Sequence, residues 1–188
     1  MTEKRKENIW NVPNVLTMIR MLLIPVYWFL ILNGRLYAAL AVFAIASLTD
    51  IADGFIARRY SLITNFGKLM DPLADKLMSV SVMLSMVVKG IAPWPVLALL
   101  VCKEITMVVG GMILYRNGVV VYSIWIGKLA QGAVVCSLLS CFFHEWLQSQ
   151  CGFPLHLYLL WIAVALTLTA LAVYMTQAIR TYRRIKNK

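Results

Sequence analysis

Four of the eight acidic residues in this 188-residue chain, Asp50, Asp53, Asp71 and Asp75, fall within 26 positions. On helices, Asp50 and Asp53 at i,i+3 share one face, and so do Asp71 and Asp75 at i,i+4. Two neighbouring helices joined by a short loop therefore aim two carboxylates each at a common point. Unneutralised, the group is costly: insertion charges roughly 2.5–3.5 kcal/mol for one aspartate at the centre of a membrane helix, and close like charges repel further. Either several of the aspartates are protonated or cations hold them. All-carboxylate ligation suits hard ions such as Mg2+ or Mn2+, and two of these would balance four carboxylates. A site neutralised in this way can accept a phosphate-bearing substrate. Within the same stretch Gly54, Ala57 and Gly67 let a bulky ligand approach the backbone, and Arg58 offers a planar fork for phosphate. The competing use of such small residues is close helix packing.

The elements that carry these residues are membrane helices. The chain is 61% hydrophobic and 14% charged, its mean hydropathy is +0.78, and about 20 apolar residues cross the hydrocarbon core. Apolar stretches run approximately over 15–32, 36–57, 69–88, 95–115, 122–143 and 154–178, separated by polar or Gly/Pro breaks such as "NGR", "KGIAPWP", "RNG" and "HEWLQSQCGFP". The expectation is an all-α integral membrane protein of six transmembrane helices, with "RRYSLITNFGK" as the loop between the second and third. Residues 1–188 read as one domain: a juxtamembrane, interfacial segment over 1–13, a six-helix bundle over 14–178 and a basic cytosolic tail over 179–188. Pro13 suits a first helical turn. The first apolar run lacks a small-x-small cleavage site and contains Arg20, which favours a retained helix over a signal peptide.

Loop charges orient the bundle. With a cytosolic N-terminus, that side receives twelve of the 18 Lys and Arg residues, and the opposite side only Arg35 and Lys89. Both termini and the aspartates are then expected on the cytosolic side of a multi-pass plasma membrane. The shortness of the chain, without a targeting extension, favours a bacterial one. The net charge of +10 lacks any aromatic-interleaved nucleic-acid module, so anionic membrane lipids rather than nucleic acid are its expected partner. Cys102, Cys136, Cys141 and Cys151 form no C-x2-C pair and read as packing residues. His144, Glu145 and His156 are expected near the opposite membrane face, away from the aspartates.

In the first helix Asn14, Thr17 and Arg20 recur every three residues as a polar strip, suited either to ligand binding or to helix–helix adhesion. A transporter with buried aspartates is the competing class of function, although such proteins favour inverted repeats or broken helices, and no repeat is visible. A membrane prenyltransferase would need two Asp-rich motifs set farther apart and a larger bundle.

As a pattern the opening stretch reads D50-x2-D53-G54-x2-A57-R58-x8-G67-x3-D71-x3-D75. This resembles the signature of the CDP-alcohol phosphotransferase family. The resemblance implies a six-helix membrane enzyme, usually a homodimer, with two divalent cations (Mg2+ or Mn2+) at the cytosolic side. It further implies that Asp50, Asp53, Asp71 and Asp75 bind metal, that Asp75 is the general base, and that Asp50, Gly54, Ala57, Arg58 and Gly67 contact the CDP moiety. The opening "VPNVLTMIR" resembles those of the phosphatidylglycerophosphate synthases and cardiolipin synthases within the family. The first group implies CDP-diacylglycerol and glycerol 3-phosphate as substrates, the second phosphatidylglycerol as acceptor. A glycerol 3-phosphate dianion needs a further basic site, and the candidates for acceptor or phosphate binding are Asn14, Thr17, Arg20, Lys103 and Lys128. Lys103 and Lys128 are expected near the cytosolic ends of the fourth and fifth helices. Lys103 precedes Glu104 where the resemblance implies Arg, which exchanges a bidentate fork for a point charge.

Overall fold

The computed structural model describes residues 11–59, 64–116 and 125–186. Among these residues the chain forms seven helices: α1 (Val12–Leu32), α2 (Leu36–Arg59), α3 (Asn65–Val88), α4 (Trp94–Arg116), α5 (Trp125–Phe142), α6 (His144–Cys151) and α7 (Leu155–Lys186). The helix starts and stops follow local chemistry. Asn11 caps α1, its Oδ1 accepting the Asn14 N–H at 3.0 Å, and Pro13 sits in the first turn, where a missing N–H costs nothing. Gly34, Gly90 and Gly152, with φ of 72°, 73° and 73°, turn the chain after α1, α3 and α6.

The observed boundaries differ from the sequence expectation at several points. The stretch "HEWLQSQCGFP" begins with α6, whose eight residues extend only about 12 Å and cannot cross a bilayer. The loop expected as "RRYSLITNFGK" is shorter, because α2 continues to Arg59 and α3 starts at Asn65. At the ends, α1 includes residues 12 and 13, and α7 continues to Lys186 through most of the stretch expected as a tail. Residues 1–10 of the expected interfacial segment lie outside the described residues.

Val12–Leu32, Trp94–Met112, Trp125–Phe142 and Leu155–Thr181 are long and apolar enough to cross a membrane, and Leu36–Asp50 is a shorter apolar helix. Their exposed surfaces are apolar as well. Leu22, Phe29 and Leu32 of α1, Met112 of α4, Leu129 of α5 and Ile162 of α7 all point outward, an arrangement that suits lipid rather than water as solvent. The chain is a membrane protein.

Two compact units make up the chain, residues 1–85 and 86–188. In the first, α1 packs along α2. The buried Ala39, Phe43 and Ala46 of α2 and Ala74, Met78 and Val82 of α3 form its core with Tyr27 and Ile31, the alanines allowing close helix approach. A buried hydroxyl pair, Tyr27 Oη to Ser85 Oγ at 2.5 Å, joins α1 to α3. In the second unit α4, α5 and α6 all pack on α7, around Val134, Leu138, Leu160, Ala163 and Val164. His144 and His156 meet there edge to face, their ring centroids 5.7 Å apart.

Candidate functional site

The site grows from the polar strip of α1. Asn14, Thr17 and Arg20 are each only 1% exposed, and each turns its polar atoms toward another helix of the first unit or the residue that starts one. Arg20 Nη1 lies 2.8 Å from Asp50 Oδ1 on α2. The Thr17 hydroxyl stands against both the Pro13 carbonyl, at 3.1 Å, and Asp71 Oδ1 on α3. Its single proton serves one acceptor at a time, and the charged carboxylate is the stronger of the two. Asn14 Oδ1 accepts from the Thr64 hydroxyl at 3.1 Å, and Thr64 Oγ1 accepts the Gly67 N–H at 3.0 Å. The last bond makes Thr64 the N-cap of α3. In the resting chain the buried strip is engaged by the chain itself, meeting Asp50 of α2 and Asp71 of α3.

One aspartate from each of α2 and α3, Asp50 and Asp71, meets the strip. Asp71 and Asp75 lie one turn apart on α3. Asp50 reaches the same α1 strip from α2, close enough to Asp71 for the two charges to repel. Pro72 lies between Asp71 and Asp75 inside α3 and removes one backbone donor from that turn. Arg20 engages one oxygen of Asp50 and Thr17 one oxygen of Asp71, leaving each carboxylate its second oxygen to offer a cation. These hard oxygen donors suit Mg2+ or Mn2+. Among the described residues no group of three His, Cys, Asp or Glu side chains converges closely enough to hold an ion, and Asp53 is not among those side chains. Asp53, Gly54, Ala57 and Arg58 lie within α2, and their side chains lie outside the described ones.

Gly67 lies tight against side chains of the strip, the cap and α3. A Cβ there would lie 2.7 Å from Asn14 Oδ1, 3.2 Å from Thr64 Oγ1 and 3.5 Å from Asp71 Oδ2. Side chains of this chain, rather than open space, fill the place. Thr64 itself was missed by sequence reasoning; a threonine directly before the first turn of α3 is the cap signal that could have found it.

The two other basic candidates belong to the second unit. Lys103 sits near the middle of α4 rather than near its end, paired with Glu104 at 2.6 Å, the two side chains 10% and 21% exposed. Adjacent opposite charges offset one another within a long apolar helix, so their depth does not show in hydropathy. Lys128, in the first turn of α5, lies over the Trp125 ring at 5.6 Å.

The chain is similar in sequence to known proteins. The chain is 31% identical over 177 residues, 86% of its length and 92% of the relative's, to the CDP-diacylglycerol--glycerol-3-phosphate 3-phosphatidyltransferase of Bacillus subtilis. It is 35% identical over 130 residues, 66% of its length and 62% of the relative's, to a probable phosphatidylglycerophosphate synthase of Mycobacterium tuberculosis. It also matches the CMP-forming cardiolipin synthase of Homo sapiens, at 37% identity over 103 residues, 54% of this chain and 34% of that one. The CDP-alcohol phosphatidyltransferase family profile matches residues 10–169, a span that takes in α1 with its strip and all four aspartates, and it is to this family that the chain belongs.

Proposed function

We infer that this protein transfers a phosphatidyl group from CDP-diacylglycerol to glycerol 3-phosphate, releasing CMP and forming phosphatidylglycerophosphate, a step of phospholipid biosynthesis. The observation that carries the reading is the convergence of Asp50 and Asp71, from successive helices, on one buried polar strip. The Bacillus relative, matched over most of both chains, bears the name of this reaction.

Asp50, Asp53, Asp71 and Asp75 would hold two divalent cations, which when bound neutralise and polarise the pyrophosphate of the donor. Asp75 takes the proton of the acceptor hydroxyl. The acceptor oxygen then bonds to the lipid-side phosphorus as the bond from that phosphorus to the bridging oxygen breaks, and CMP leaves with the electron pair. Gly54 and Ala57 leave room for the CDP moiety, and Arg58 presents its fork to phosphate. Arg20 and Thr17 keep Asp50 and Asp71 in register. Lys103 and Lys128 supply positive charge for the phosphate of the acceptor.

The same reading takes the protein to be a homodimer in a plasma membrane, with six spans and with the site and both termini cytosolic. In support, α2 and α3 have 24 residues each, about 36 Å of helix and enough to cross the hydrocarbon core alongside the four more apolar helices.

Full-length protein purified in detergent, given CDP-diacylglycerol, glycerol 3-phosphate and Mg2+ or Mn2+, should release CMP, and chelation with EDTA should stop it. No release with any acceptor overturns the transferase reading. The match to cardiolipin synthase favours phosphatidylglycerol as the second acceptor to try, and CMP release with it alone would move the protein to that reaction.

A further inference from the structure

Two rungs connect α1 to the first turns of α3. In the upper rung Asn14 Oδ1 accepts from Thr64 Oγ1 at 3.1 Å, while Thr64 Oγ1 accepts from Gly67 N at 3.0 Å. In the lower rung Thr17 donates to Asp71 Oδ1. Positions 14 and 17 are three apart on α1 and positions 67 and 71 four apart on α3, so both rungs join the same pair of faces. The Thr64 hydroxyl uses both its capacities, capping α3 with its lone pair and bolting that cap to α1 with its proton. Asn14 is 1% exposed and Thr64 8% exposed, so neither side chain has open space into which to withdraw.

We propose that Asn14 and Thr64 are positioning residues for Asp71, forming a latch that fixes the start of α3 against α1, and that position 67 is glycine because the latch occupies the place of its side chain. The 2.7 Å separation between an ideal Cβ at 67 and Asn14 Oδ1 is shorter than such contacts allow, so any side chain at 67 displaces Asn14, loosens the cap and moves Asp71 one turn on. This rests on the reading of Asp71 as a metal ligand.

The test uses the full-length chain in detergent, with Mn2+ binding followed by electron paramagnetic resonance without substrate, and melting temperature measured in parallel. Thr64→Val keeps the shape of the residue and loses the hydroxyl; Thr64→Ser keeps the hydroxyl. The expected result is Mn2+ binding weakened at least fivefold in Thr64→Val and within twofold of the parent in Thr64→Ser. Gly67→Ala should weaken Mn2+ binding about tenfold in the parent, but less than threefold further when introduced into Asn14→Ala, where the obstructing oxygen is gone. Parental binding in Thr64→Val, or an equal cost of Gly67→Ala in both backgrounds, overturns the latch. If Gly67→Ala does not fold, the Thr64 pair decides alone. A parent chain that binds no Mn2+ overturns the positioning of a metal ligand, and coupling between positions 14 and 67 in melting temperature separates that failure from failure of the latch.

Discussion

Arg20 Nη1 lies 2.8 Å from Asp50 Oδ1, with the arginine side chain 1% exposed and the aspartate side chain 39% exposed. The pair is lopsided: a buried guanidinium reaches a carboxylate that is only partly covered. Arginine therefore serves as a fixed counter-charge, and the aspartate keeps an oxygen for other work. Replacing the arginine removes this counter-charge from a half-buried acid.

For Arg20→Met the expected cost is about 1–3 kcal/mol, below the 3–5 kcal/mol of a fully buried broken pair because the Asp50 side chain is only partly buried. Arg20→Lys retains the charge but not the planar fork and should fall between the two. Thermal unfolding in detergent measures both. A melting temperature unchanged in Arg20→Met would show that the pair contributes nothing to holding α1 on α2.

The Tyr27–Ser85 pair makes a milder prediction. Ser85 Oγ also lies 2.7 Å from the Val82 carbonyl, so Tyr27→Phe leaves the serine hydroxyl an acceptor. The cost should stay near the ordinary net worth of a hydrogen bond, about 0.5–1.5 kcal/mol. CMP release should be unaltered at a temperature where both proteins are folded, since the pair lies about three turns beyond Asp75 on α3.

How much of this was legible in advance depended on how local each relationship is. The faces shared by Asp50 with Asp53 and by Asp71 with Asp75 are consequences of helix period alone and could be read directly. So could the polar face of Asn14, Thr17 and Arg20, but not the partners of that face. Asn14 meets Thr64 across 50 positions and Thr17 meets Asp71 across 54, and which helix lies opposite is a property of the packed bundle. Thr64 was hidden by assigning its segment to a loop, which removed the helix end it caps. The short α6 was hidden by its polarity and by the Gly152 and Pro154 that follow it, both of which also announce a loop. Lys103 illustrates a third limit: hydropathy tolerates a self-paired lysine and glutamate in a long apolar helix but assigns them no depth.

Asp75 separates chemistry from architecture. Asp75→Asn preserves the size and shape of the side chain and removes its ability to take a proton. If Asp75 is the general base, CMP release should fall by about 10^2–10^4-fold, the usual contribution of a positioned base, with melting temperature unchanged and Mn2+ binding weakened far less than turnover. Near-parental turnover would remove Asp75 from the proton transfer and leave it as a ligand at most.

Lys103 offers a test of the proposed acceptor contact. Its ammonium lies 2.6 Å from Glu104 Oε1, so in the resting chain its charge is already answered, and a phosphate dianion must compete with or join that pair. Should it bind the acceptor phosphate, Lys103→Met loses a charge-assisted hydrogen bond of about 1.5–3 kcal/mol, which corresponds to a rise in the KM for glycerol 3-phosphate of roughly 10- to 100-fold. The KM for CDP-diacylglycerol should move less than twofold, because the residues proposed to engage that substrate belong to α2 and α3. Lys103→Arg should keep most of the affinity, its fork meeting both phosphate and Glu104. Equal losses toward both substrates in Lys103→Met would instead mark the lysine as a partner that merely satisfies Glu104 inside α4, and would pass the acceptor role to Lys128.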